Sequence, residues 1–218
     1  MLGLVAAVCC WFVFTAWLPA DVQRYADYAA ARPCADGGTH MDEERAECLA
    51  SVPFAVQSTV IQNGKSPNYQ ATVFDGSITP RVVSFGDPGP LLSRLRSGDV
   101  VTVTIWRGEI VVLEKGGVRQ STSDAPRDEA QVTAALGTFA GLMAALGLAV
   151  GLGVGPPEHR RSRFSVWHAA AKPLALMAML ICAAAATVTL LLGVPWWVVP
   201  ATAAPVTVAG ALAVARYR

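Results

Sequence analysis

Cys34, His40 and Cys48 fall in one short stretch and are the only cysteines and histidine between residues 21 and 130. Two thiols and one imidazole admit three chemistries: a disulfide, a metal site, or nucleophilic attack with the histidine as base. A zinc site needs four ligands at characteristic spacings, and no fourth ligand accompanies these three. A nucleophile needs a base held beside it. His40 is the only histidine of this segment, and no Gly-x-Ser-x-Gly context frames a serine. A lone cysteine pair in an oxidising compartment reads as a Cys34–Cys48 disulfide, worth ~3 kcal/mol on the chain-entropy model. Two unpaired buried thiols are the alternative.

Other chemistry-bearing residues are weaker candidates. Asp36, Asp42, Glu43, Glu44 and Glu47 crowd the same stretch. They lack the alternating Asp/Asn positions and closing bidentate Glu of a calcium loop. They suit the amino end of a short helix capped by Thr39 and running through about Ala50. Asn63-Gly64-Lys65-Ser66 ends like a phosphate-binding loop but lacks its first glycine, and reads as a hairpin loop. A carboxylate pair for glycoside hydrolysis would need a saccharide cleft, for which this segment offers little room. The sequence therefore assigns no catalytic residue, no cofactor site and no metal ligand.

The elements that must hold these residues divide sharply by polarity. Of the 218 residues, 53% are hydrophobic and 15% charged, yet residues 21–130 carry 26 of the 33 charges and 43 of the 116 hydrophobic residues. Residues 1–20 are uncharged, as are the 28 from Ala130 to Pro157 and the 43 from Pro173 to Ala215. A hydrocarbon core of ~30 Å needs ~20 helical residues. The three runs predict four transmembrane helices, near 2–19, 132–154, 174–192 and 196–214, with a turn at Gly193-Val194-Pro195. The last is expected to start at Pro195 and bend at Pro200 or Pro205. The spans hold no ionisable group, which disfavours proton-coupled transport and intramembrane metalloproteolysis. Their threonines are expected to bond the preceding turn of their own helix.

Charge sets the orientation. Arg160, Arg161, Arg163 and Lys172 in the 158–172 segment, and Arg216 and Arg218 at the end, belong on the cytoplasmic face. Parity then places both termini inside and residues 21–130 outside. Trp17 and Trp196-Trp197 fall at outer helix ends, where interfacial aromatics belong. Residues 1–20 lack a basic n-region and a small-x-small cleavage site, and read as a retained anchor; cleavage would leave three spans. The domains expected are a first transmembrane helix over 1–20, an extracytoplasmic domain over 21–130, a second helix over 131–157, a basic cytoplasmic loop over 158–172, and helices three and four over 173–218.

Within 21–130 the first third is helical, continuing the first span through Val22, Tyr25, Ala26 and Ala29 until Pro33. Strands are expected at 54–61, 69–74, 78–85, 100–106, 109–114 and 118–122, divided by turn residues. Val101, Val103 and Ile105 alternate with Thr102, Thr104 and Trp106, the period of a half-buried strand. Arg107-Gly108 has the length of a tight hairpin turn. Pro90 to Arg96 suits one or two helical turns stopped by Gly98. The fold class is thus a membrane protein with four transmembrane α-helices and an extracytoplasmic α+β domain built on a small antiparallel sheet or partly open barrel.

Two sequence features point to partners. Gly137 and Gly141, then Gly147, Gly151 and Gly155, stand at four-residue spacing in two runs along the second span and form a groove for close helix approach. The first or fourth helix, a second copy, or another membrane protein would fill it. Arg160, Arg161 and Arg163, interleaved with Phe164 and Trp167, suit contact with anionic lipid heads or serve only to fix topology. The near-zero net charge supplies no basic field for nucleic acid.

The phrase Leu95-Arg96-Ser97-Gly98-Asp99-Val100-Val101-Thr102-Val103 with Trp106-Arg107-Gly108-Glu109-Ile110-Val111 resembles small barrel modules of the OB or SH3-like kind. The order of span, cysteine pair, strands and three spans, in an Ala/Val/Gly/Arg-heavy chain, is similar to uncharacterised four-pass membrane proteins of high-GC Gram-positive bacteria. That resemblance implies architecture and no activity. The expected function is a non-enzymatic plasma-membrane envelope protein whose outer β domain binds or supports another envelope component. Its alternatives are a transporter or channel accessory subunit, and an extracytoplasmic hydrolase using His40.

Overall fold

The structure, a computed structural model, describes residues 2–34, 47–76, 79–151 and 163–216. The chain divides into two compact units, one of Met1–Gln23 with Arg127–Arg218 and one of Arg24–Pro126.

The first unit is helical because its apolar runs satisfy every backbone N–H and C=O within one segment, as lipid requires. Helix α1 (Leu2–Phe12) passes through a π-helical turn, Val13–Trp17, into α2 (Leu18–Ala30). Helices α3 (Glu129–Gly151), α4 (Arg163–Leu192) and α5 (Val198–Arg216) complete the set. Three helical stretches are long and apolar enough to cross a membrane: Gly3–Ala30, Glu129–Ala149 and Lys172–Leu192. The apolar stretch of α5, Val198–Leu212, is shorter.

Two boundaries differ from the sequence expectation. Residues 163–172, expected as part of a cytoplasmic loop, form the first turns of α4. The loop was inferred from charge, whereas Ala169, Ala170 and Ala171 have the highest helix propensity. The last helix begins at Val198, not Pro195, because Pro195-Trp196-Trp197 is spent on a tight entry turn with Val198 N–H on the Pro195 carbonyl (3.1 Å). Pro200 then sits in the first turn, where its missing N–H has no partner to lose. The turn after α4 falls where expected. Gly193 (φ +62°) ends the helix, with Val194 N–H on the Thr189 carbonyl at 3.1 Å and Gly193 N–H on Leu190 at 3.3 Å, a Schellman pattern.

The glycine groove of α3 is filled by the chain's own first helix. A Cβ at Gly147 would lie 2.7 Å from the Gly3 Cα, and one at Gly137 would meet Phe14 and Val13 side chains at 2.7 and 2.8 Å. At Gly141 the nearest atom is the Cys10 Sγ, 3.1 Å away. Gly151 is the last residue of α3, and Gly155 lies outside the described residues. Thr138, Thr187, Thr189, Thr202 and Thr207 donate to carbonyls three or four residues earlier, as expected. Thr133 instead donates to the Asp21 carboxylate at 2.6 Å.

In the second unit six strands form one antiparallel sheet in the order β3-β2-β1-β4-β5-β6. They are β1 (Ala50–Gln62), β2 (Asn68–Phe74), β3 (Arg81–Ser84), β4 (Val100–Trp106), β5 (Glu109–Lys115) and β6 (Val118–Ser121). Each overlaps an expected strand, although β1 begins at Ala50, four residues before the expected start at 54, and β3 covers only Arg81–Ser84 within the expected 78–85. The expected helix through Ala50 does not reach that far, since Ala50 opens β1 and Leu49 bridges Pro33; residues 39–46 lie outside the described residues. Backbone bonds at this point, Leu49 N–H to Arg32 (2.8 Å) and Cys34 N–H to Leu49 (3.1 Å), hold residue 49 extended. Pro90–Arg96 yields a single 3-10 turn, Leu92–Arg94. Before β4, Asp99 pairs with Lys115 and accepts from Arg96 N–H (2.8 Å), which together hold its carboxyl below the usual range.

The sheet curls around one core: Phe54, Val56, Ala71, Val73, Val83, Phe85, Leu91, Leu92, Leu95, Val101, Val103, Ile110 and Leu113. Polar bonds tie β3 and the segment after it to the β4–β5 turn, to β6 and to the segment after β6. Arg81 on β3 donates to the Gly108 carbonyl (3.1 Å), and Ser123 N–H donates to Ser84 (2.8 Å). Gln120 of β6, 6% exposed, accepts from Leu91 and Leu92 N–H (2.8 Å each) and donates to the Asp87 carbonyl (3.0 Å). The result is a half-barrel.

Two predictions follow from these contacts. Gly147→Ala should lower the thermal midpoint of the detergent-purified protein, because backbone at Gly3 cannot yield. Gly141→Ala should leave it unchanged or raise it, since a flexible thiol yields and alanine gains up to ~1 kcal/mol of helix propensity. Equal losses in the two would refute the close-backbone account. Gln120→Leu should destabilise the β unit by about 2–4 kcal/mol in chemical unfolding, since it strands two buried N–H groups. A loss under about 0.5 kcal/mol would show that Gln120 does not close the barrel.

Candidate functional site

The alternation of β4 sends Val101 and Val103 into the barrel core and Trp106 to the opposite face. There Trp106, 2% exposed, clusters with Val111 and Ala125, with Tyr28, Ala31, Leu49 and Val112 packed around them. The Tyr28 ring meets the indole edge-on at 5.5 Å. The end of α2 and the residue after it therefore cover this face, and Tyr28 and Ala31 supply the apolar contact that the indole needs.

Arg107 and Gly108 form the two-residue turn into β5, with φ of +48° and +82°. Both positive values are what a type I′ hairpin requires. Asn or Gly usually occupies the first position, and a residue with a long side chain is disfavoured there. Arg107 is the only non-glycine with positive φ among the described residues. Its guanidinium lies over the Trp106 ring at 4.5 Å and pairs with Asp27 at 2.8 Å. Glu47 stands 3.6 Å away with its side chain 85% exposed.

Around this pair opens a cavity of ≈ 570 Å³ whose wall includes Asp27, Arg32, Glu47, Cys48, Trp106 and Arg107. Cys34 and Cys48 are joined in a disulfide (S–S 2.02 Å), tying the segment after α2 to the start of β1. The cavity thus draws on four separate parts of the unit: the helix end, the segment after it, the disulfide and the β4–β5 turn. The Trp106 Nε1–H is buried without a hydrogen-bond acceptor.

The sequence-assigned residues distribute as follows. Cys34 and Cys48 are bonded, and Cys48 lines the cavity. Gly137, Gly141 and Gly147 face the first helix and bear on packing. Arg163 opens α4, while His40, Arg160 and Arg161 lie outside the described residues, as do Asp36, Asp42, Glu43 and Glu44. Among the described residues no group of three or more His, Cys, Asp or Glu side chains is placed to hold a metal ion. Sequence reasoning read Trp106 and Arg107 only as strand and turn residues and did not name Asp27 or Arg32, so none of the four was assigned to a site. One signal was present: arginine at the first position of a two-residue hairpin, where asparagine or glycine would fit better. No protein-family model, curated protein or solved structure matches the chain.

Arg107→Asn keeps a residue that tolerates the left-handed backbone and removes the guanidinium. Loss of an exposed cation–π contact and a half-exposed ion pair should destabilise the β unit by about 1 kcal/mol. Chemical unfolding of the single variant, and of its double-mutant cycle with Asp27→Asn, measures this. A gain in stability would mean that backbone strain outweighs both contacts.

Proposed function

We propose that the chain is a four-span protein of the plasma membrane that works without catalysis, its 24–126 unit binding or supporting another envelope component outside the cell. The carrying observation is the Trp106–Arg107 cavity. A buried indole and an arginine held in a disfavoured backbone conformation flank an open space, and strain of this kind gathers at ligand sites.

The four-span reading rests on α5 acting as the last crossing. Its 19 residues reach ~28 Å at ~1.5 Å each, close to the ~30 Å hydrocarbon core. The basic residues of 158–172 and of the carboxyl end favour a cytoplasmic placement for both, with both termini inside. Arg160, Arg161 and Arg163 would then meet anionic lipid heads. Since α1 and the π-helical turn after it fill the glycine groove at Gly137, Gly141 and Gly147, a membrane partner or a second copy would use another face of the helices.

Two measurements check this. A cysteine introduced at the exposed Ser97 should be labelled by a membrane-impermeant maleimide in intact cells, and one at Ser162 should be labelled only after lysis; the reverse pattern overturns the orientation. Crosslinking in native membranes followed by mass spectrometry should recover an envelope component joined to the 24–126 unit. A monomer that captures nothing sinks the binding role.

A further inference from the structure

We propose that the cavity beside Trp106 is a site for an oxyanion group, a carboxylate or a phosphate. The proposal deepens the binding role given above to the β unit and rests on it. It follows from which polar groups of the wall are already satisfied and which are not.

Asp27 and Arg107 satisfy each other across 2.8 Å, the length of a charge-assisted bond. The remaining unsatisfied groups are mainly donors. The Arg32 side chain is exposed and makes no hydrogen bond or ion pair among the described residues. Its guanidinium therefore presents five N–H donors and no acceptor. Arg107 spends one nitrogen on Asp27, and its planar fork retains further N–H groups. A ligand that completes this wall must bring acceptors, and an oxyanion brings at least two at once, a pair of oxygens that a guanidinium fork can meet with two parallel N–H bonds.

One group opposes this. The Glu47 carboxylate stands at the rim, 3.6 Å from the Arg107 nitrogen, longer than a charge-assisted bond and 85% exposed. It competes for the same guanidinium, so it sets the affinity the site can reach. Neutralising Glu47 should therefore tighten binding and neutralising Arg32 weaken it, whereas a diffuse surface attraction for anions would be weakened as much by neutralising an arginine away from the cavity.

The test uses the full chain in phosphatidylcholine nanodiscs, titrated calorimetrically at low salt with inorganic phosphate, with acetate and with a short-chain phosphatidylglycerol. At least one probe should bind with saturation. Arg32→Gln should weaken that binding roughly tenfold, the worth of one charge-assisted contact. Glu47→Gln should tighten it several-fold, and Arg94→Gln, an exposed arginine outside the cavity wall, should leave it unchanged. Binding of phosphate or acetate identifies a free anion as the source, and binding of the lipid alone identifies a headgroup. Saturation by none of the three, equal loss in Arg32→Gln and Arg94→Gln, or weaker binding in Glu47→Gln would overturn the proposal. Envelope crosslinking that persists in Arg32→Gln while anion binding is lost separates failure of this site from failure of the binding role.

Discussion

The β unit depends on one bent strand. Ala50–Ala55 of β1 pair with β4, and Ala55–Gln62 pair with β2, so the same strand serves two neighbours on opposite sides along different parts of its length. The irregularity at Val56/Ser58 makes this feasible, since a bulge sharpens the local twist and turns the strand. Beside it, Val56 N–H donates to the Asp99 carbonyl and Gly98 N–H to the Val56 carbonyl, both at 2.8 Å, so the turn into β4 is fixed to the bend. Without the bend, β2 and β3 would continue as a flat extension. With it, the sheet curls until Ser84 and Gln120 can bridge its edges.

Curling creates an inside and an outside, and the strand alternation then decides what each face must do. The inside fills with Val, Leu and Phe, each worth roughly 1.5–3 kcal/mol when buried. The outside of β4 and β5 carries Trp106 and Val111, which are too apolar to leave in water and are covered by Tyr28 and Ala31. The disulfide sits beside this contact and limits how far the segment after α2 can separate from β1. Arg107 follows from the same geometry. A tight hairpin must turn directly after Trp106, and the residue in the turn is carried next to the indole it stacks on.

Much of this architecture was legible in the sequence because it rests on short-range patterns. The alternation over Val101 to Trp106 identified both the strand and the face on which Trp106 lies. Turn pairs such as Asn63-Gly64 and Arg107-Gly108 marked the hairpins, and the uncharged runs marked the apolar helices. The cavity was not legible, for a physical reason. Asp27 and Arg107 are 80 residues apart, and no local pattern reports that a helix end will be laid against the back of a sheet. The start of α4 was missed because charge fixes which side of a membrane a segment favours but says little of its backbone, which three consecutive alanines bias towards helix. The groove of α3 was visible as spacing, yet spacing cannot name what fills it.

That filling shows how differently the helical unit is held. Between helices in lipid, burying apolar surface yields little, because the tails are as apolar as the side chains, and contact distance decides. Glycine in a helix costs ~1 kcal/mol relative to alanine, a cost recovered only if the bare backbone admits a neighbour that a methyl group would exclude. Gly147 meets this condition, with the Gly3 Cα 2.7 Å from where its Cβ would be. Gly137 meets it through Phe14 and Val13. Val13 and Phe14 belong to the π-helical turn, whose extra residue per turn changes the face that follows it. The glycines of α3 and the π turn of the first helix are therefore complementary features of one interface, since the first removes bulk where the second presents it. A substitution that restores regular α-helix at Val13–Trp17 should disturb this interface as much as one that adds a side chain at Gly137.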